Sequence, residues 1–144
     1  MPSLITRGRA LQVVRDRFGH RAFQPGQWEP VRAVLGGRDT LVVMPTGSGK
    51  SLIYQLPALI MPGLTVVVSP LIALMKDQQD KLSAQGVEAL AVHSHLSTAE
   101  ARETHRAVEE GEGEILYLTP ERFKVREFFE RLLTRRVSLF VVDE

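Results

Sequence analysis

The chain has no cysteine, which excludes disulfides and thiolate metal sites. Its net charge is only +1, so the whole chain lacks the overall basic balance of a nucleic-acid coat. No apolar run reaches the roughly 18 residues of a membrane span. The opening stretch, MPSLITRGRALQ, lacks the apolar core of a secretory signal. The default expectation is a cytoplasmic protein without a membrane partner. Internal repeats, linkers and low-complexity segments are also missing. What remains is 144 residues, 44% hydrophobic and 24% charged. That suffices for one domain with a core of its own. Charge is uneven within it. The first 40 residues carry seven arginines (Arg7, Arg9, Arg15, Arg17, Arg21, Arg32 and Arg38) against Asp16, Glu29 and Asp39. Such a stretch is either a set of solvated helix faces or a surface that meets anions.

Apolar spacing predicts alternating helices and strands. Leu11, Val14 and Phe18 share one helical face, and Gly19 is a fitting stop. Trp28, Val31 and Leu35 have helical spacing before Gly36-Gly37. TLVVM (40–44) reads as a short buried strand. Lys50 to Met61 reads as an apolar helix that Pro57 should bend. LTVVVS (64–69), ALAV (89–92), EILYLT (114–119) and SLFVVD (138–143) read as further strands. Between them lie a helix over 71–85, one opened by a Ser97–Glu100 capping box, and VREFFERLLT, with Phe128, Phe129, Leu132 and Leu133 turned inward. Five continuous apolar strands alternating with helices predict an α/β fold, with a mostly parallel sheet covered by helices on both faces.

MPTGSGKS (44–51) falls between a predicted strand and a predicted helix. Gly47 and Gly49 let the backbone approach a ligand closely. Successive N–H groups around Thr46, Ser48 and the glycines form an anion nest, and the helix starting near Lys50 adds its positive end. Lys50 can reach the β- and γ-phosphates of a nucleotide, and the Ser51 hydroxyl can hold Mg²⁺. The G-x-x-x-x-G-K-[ST] pattern has Met44 in place of its first glycine, and by itself the stretch is also compatible with an ordinary glycine turn. FVVDE (140–144) ends a predicted strand in two carboxylates. Asp143 suits a Mg²⁺ ligand of the Walker B type, and Glu144 can polarise an attacking water. His93 and His95 have no carboxylate or cysteine cluster beside them, so they read as a solvated loop rather than a metal site. Trp28 reads as core.

Taken in order, these stretches resemble the RecQ family of superfamily 2 DNA helicases. FGHRAFQPGQ is similar to its adenine-reading motif. VVMPTGSGKSLIYQLPAL is similar to motif I, where these helicases commonly lack the leading glycine. TVVVSPLIALMKDQ resembles motif Ia, ILYLTPERF the Thr-Pro-Glu-Arg segment, and VVDE the start of D-E-x-H. The resemblance runs from about Leu11 to the last residue. It implies a truncated RecA-like P-loop lobe, with residues 1–144 as part of the helicase ATP-binding domain and the second lobe absent. By the same resemblance, Gln27 reads the adenine edge and His20 stacks on the base. Gln24 stands where the family usually has arginine. Ser69, Pro70 and Lys76, with Thr119, Pro120, Glu121 and Arg122, would touch the nucleic-acid backbone, a contact suited to a motor that ignores sequence.

The implied activity is ATP- and Mg²⁺-dependent, 3′-to-5′ movement on single-stranded and duplex DNA in repair and recombination, in the bacterial cytoplasm at the nucleoid. The family also places a later strand between the loop strand and the Asp-Glu strand. Without it, the sheet must leave a gap, re-pair, or leave backbone groups unpaired. Two other readings share the loop: a small-molecule phosphotransferase, and a passive nucleotide- or nucleic-acid-binding remnant.

Overall fold

The computed structural model describes residues 5–45 and 47–144. The chain divides at Met61/Pro62 into two compact units.

The first unit is helical. Helix α1 (Arg7–Phe18) starts at Thr6, whose side chain accepts from the Arg9 N–H. It ends at Gly19, a left-handed cap with φ 72°. Ala10, Val14 and Phe18, spaced by four, form its buried face. Helices α2 (Trp28–Leu35) and α3 (Lys50–Ile60) follow. Helix α3 packs against both α1 and α2. It runs through Pro57, which has no N–H to return to the preceding turn. Trp28 is half-buried, against Phe23 at a ring separation of 5.4 Å.

The second unit carries the sheet. Its strands are β1 (Leu64–Val68), β2 (Ala89–Val92), β3 (Ile115–Leu118) and β4 (Val137–Val142). They are parallel and lie in the order β2-β3-β1-β4. Helix α4 (Ile72–Ala84) links β1 to β2, and helix α5 (Thr98–Glu109) links β2 to β3. A 3-10 turn (Pro120–Lys124) and helix α6 (Arg126–Leu132) link β3 to β4. The capping box of α5 forms as expected, with Ser97 and Glu100 each bonding the other's backbone N–H. Every residue of β1 and β3 is buried. One face of the sheet (Leu64, Val66, Val68, Val92, Leu116, Leu118) packs on Val108 of α5 and on Phe128 and Leu132 of α6. The alternate residues face the other way, and Gln79 of α4 donates to the Ala89 carbonyl at 2.9 Å.

Three expectations are corrected. Residues 40–44 form no strand, and Leu41 and Val43 are 91% and 88% exposed. An extended segment becomes a strand through its ladder, and these residues pair with none of the four strands. The described sheet therefore has four strands rather than five. Nor is the sheet covered throughout. β4 pairs with β1 alone, leaving Phe140 55% and Val142 75% exposed. In α6, Phe128 and Leu132 are buried, but Phe129 and Leu133 are 39% and 67% exposed. Positions one residue on lie about 100° round the helix, so a helix this short buries one i, i+4 pair and not the next.

Candidate functional site

In the first unit the glycine loop is built from backbone conformations that other residues avoid. Gly47 and Gly49 have φ of 80° and 82°, in the left-handed region that costs an L-residue roughly 1–2 kcal/mol. Gly49 caps α3, so Lys50 and Ser51 open the helix at its positive end. Both are half-buried. Ser48 Oγ donates to the Pro45 carbonyl, closing the turn. Thr46 lies outside the described residues.

Gln27 is 3% exposed, the most buried polar residue among the described residues of this unit. Its Nε2 donates to the Gly49 carbonyl at 3.0 Å. Its Oε1 accepts the Gln24 N–H at 2.7 Å. A Cβ on Gly49 would collide with Gln27 Nε2 and stand 2.9 Å from Gln24 Oε1. The glycine is therefore required twice, for its φ and for its closeness to two glutamines. The sequence marks Gln24 only as a departure from arginine; the structure sets its side chain over the loop. His20 is exposed just after the α1 cap, where its backbone N–H reaches the Val14 carbonyl at 3.3 Å.

In the second unit the sheet's register assembles the other candidates. Val92, Leu118, Val68 and Val142 stand side by side as the last paired residues of β2, β3, β1 and β4. The next residue on each strand is polar: His93, Thr119, Ser69 and Asp143. The ladder continues onto this row, with Ser69 N–H to the Leu118 carbonyl at 3.0 Å and Asp143 N–H to the Val68 carbonyl at 2.9 Å. Adjacent strands lie about 4.8 Å apart, so the four residues form a polar ledge at the carboxyl ends of the strands. Such strand ends are the usual binding edge of open α/β sheets. Ser69 and Thr119 are 2% and 1% exposed. Ser69 Oγ accepts the Leu71 N–H at 3.3 Å. Thr119 Oγ1 is buried without a hydrogen-bond partner. Pro70, Lys76 and Pro120 are exposed and Arg122 is half-buried. Glu144 follows Asp143 with φ 67°.

His93 is not a solvated loop residue. It is 8% exposed, its Nδ1 accepts the His95 N–H at 3.2 Å, and the two rings meet edge-on at 6.0 Å. Burial, then the His95 and Arg122 charges, hold its pKa below the ordinary histidine value, against a smaller pull from Glu100. The sequence signal for this was weak, because an apolar strand of four residues gives no sign of how far burial continues past its end.

The sequence profile of DEAD/DEAH box helicases matches residues 24–144. The chain is 41% identical over 144 residues to the ATP-dependent DNA helicase RecQ of Haemophilus influenzae, covering 100% of this chain and 23% of that protein. It is 44% identical over 135 residues to the RecQ of Pasteurella multocida, covering 94% of this chain and 21% of that one. For the RecQ of Bacillus subtilis the identity is 42% over 137 residues, and the shares are 94% and 23%. The chain thus spans about a quarter or less of the length of these relatives. Among solved structures, the DUF1998 helicase MrfA bound to DNA and AMPPNP superimposes with a TM-score of 0.74 at 22% identity, over 100% of this chain and 21% of that one. That likeness is one of fold. With the profile extending from Gln24 through Glu144, the chain belongs to the DEAD/DEAH box helicase family.

Proposed function

We propose that this chain is the nucleotide-binding part of an ATP-dependent DNA helicase that moves 3′ to 5′ and serves repair and recombination in the bacterial cytoplasm, at the nucleoid. The observation that carries the reading is the bond from Gln27 to the Gly49 carbonyl. It holds the residue expected to read adenine against the loop expected to grip phosphate. Left-handed glycines are the conformations with which such loops turn N–H groups toward phosphate oxygens. In the first unit Lys50 holds the β- and γ-phosphates and Ser51 supplies an oxygen suited to Mg²⁺; in the second unit Asp143 is the carboxylate suited to Mg²⁺. When bound, Mg²⁺ neutralises charge on the phosphate oxygens. Glu144 polarises the attacking water, and His20 stacks on the base. Ser69, Pro70, Lys76, Thr119, Pro120 and Arg122 hold single-stranded or duplex DNA by its backbone, because hydroxyls and cations at strand ends fix phosphates without reading bases.

The test is binding of a fluorescent ATP analogue with Mg²⁺. Weak binding is expected, displaced by ATP and much less by GTP. Lys50→Ala should reduce it about tenfold or more, the scale of a charge-assisted hydrogen bond. Equal displacement by GTP, or unchanged binding by Lys50→Ala, would contradict the reading.

A further inference from the structure

The residues expected to face DNA come from β1, β3 and the segments that follow them. The strand register adds one more. His93 stands on β2 in the row of Thr119 and Ser69, since Val92, Leu118 and Val68 are mutual neighbours. By the alternation of side chains, all three point to the same side of the sheet. They are also three of the four buried polar residues of the second unit, with Thr65 further down β1. One of the row, Thr119 Oγ1, is buried with its hydrogen-bonding capacity unused. A buried hydroxyl without a partner is costly unless a ligand completes it.

We propose that His93 is a further backbone-contacting residue of the nucleic-acid track, extending the Ser69–Thr119 row onto β2 and donating its Nε2–H to a phosphate oxygen. The proposal rests on the DNA-helicase reading of that row and adds a residue to it. Geometry fixes the form of the contact. Nδ1 already accepts the His95 N–H, so in the neutral ring the proton resides on Nε2. A second proton would have to enter at Nδ1, against that N–H. The groups around the ring are His95, Arg122 of the 3-10 turn and Glu100 of α5, with Lys76 of α4 acting on Glu100. Two of the three groups that act on the ring directly oppose a positive imidazole, and burial adds to them. His93 therefore works as an uncharged, fixed donor, while Arg122 and Lys76 supply the charge. His93 keeps 8% of its surface exposed.

An uncharged donor has a signature that a cation lacks. It adds affinity without releasing a counterion, so it leaves the salt dependence alone. The experiment is fluorescence anisotropy of a labelled (dT)12 oligonucleotide with this chain, across a range of KCl at pH 7.5. Arg122→Ala should weaken binding and flatten the plot of log affinity against log salt by about 1. His93→Ala should weaken binding about three- to tenfold at every salt concentration, with the slope unchanged. His93→Gln, which keeps an N–H donor, should recover part of the loss. Thermal melts of each variant separate lost binding from lost folding. If His93→Ala unfolds, the ¹⁵N resonance of His93 Nε2 in the unaltered chain carries the test, and it should move on adding (dT)12. Unchanged affinity in folded His93→Ala, a changed salt slope, or an unmoved Nε2 resonance would overturn the proposal while leaving the DNA reading intact. Absence of (dT)12 binding by the unaltered chain would overturn both.

Discussion

At neutral pH, His93 and His105 are both held uncharged by their surroundings. Burial is the leading cause for each. For His105 the charges of Arg131 and Arg122 add to it against a smaller pull from Glu127. His105 also lies against Phe128 at a ring separation of 5.3 Å, and its Nε2 is buried without a partner. A base whose pKa is lowered by folding binds fewer protons folded than unfolded. Stability is then full above the ordinary histidine value of about 6.5 and falls as pH drops through that value toward the folded pKa. The lowered carboxyl groups Glu100 and Glu103 act at more acidic pH, so they do not confuse this window. The urea midpoint should be flat from pH 8 to 7 and decline toward pH 5.5. His105→Gln should reduce the decline. A midpoint that rises on acidification would contradict the assignment. At this scale the loop's glycines were legible, because a left-handed φ depends on residue type. Gln24 and His93 were not, because their placement depends on packing from distant segments.

Among the elements, β4 is the one left exposed. It pairs on one side, and Val137, Phe140 and Val142 are 40%, 55% and 75% exposed. Phe140 still rests on Phe123, which also touches Phe129, at ring separations of 6.1 and 6.2 Å. An unprotected apolar edge is a template for pairing with another chain. The expected outcome is self-association at micromolar concentration, seen by sedimentation velocity, and reduced by Val142→Lys. A monomer at all concentrations would show that the edge is protected. The same element shows where sequence reading stopped. Apolar runs at 64–68, 89–92, 115–118 and 137–142 became strands, but the equally apolar 40–44 did not. Composition reports what a segment would bury, whereas a strand also needs a neighbour. A similar limit explains α6: the apolar pairs 128/132 and 129/133 look alike in sequence, and only one meets the sheet. The Ser97–Glu100 box and the Gly19 cap were readable because both ends of each bond lie within six residues.

For the whole molecule, the two units carry different sets of the proposed site residues. The first holds the loop and its glutamines; the second holds the strand-end ledge and the Asp143–Glu144 pair. This division follows from chain order, since the motifs proposed to grip phosphate and those proposed to grip the nucleic-acid backbone fall on either side of Met61. The relatives are four to five times longer than the matched region, so binding by each part, rather than unwinding, is the behaviour expected of these residues alone. The central claim is that one chain has both a nucleotide site and a nucleic-acid site. Backbone amide spectra of the ¹⁵N-labelled chain, recorded with Mg·ATP and then with (dT)12, test it most directly. Mg·ATP should shift Gly47, Gly49, Lys50 and Gln27, and (dT)12 should shift Ser69, His93, Thr119 and Arg122. Shifts with Mg·ATP but none with (dT)12, or no shift around Gly49 with nucleotide, would contradict it.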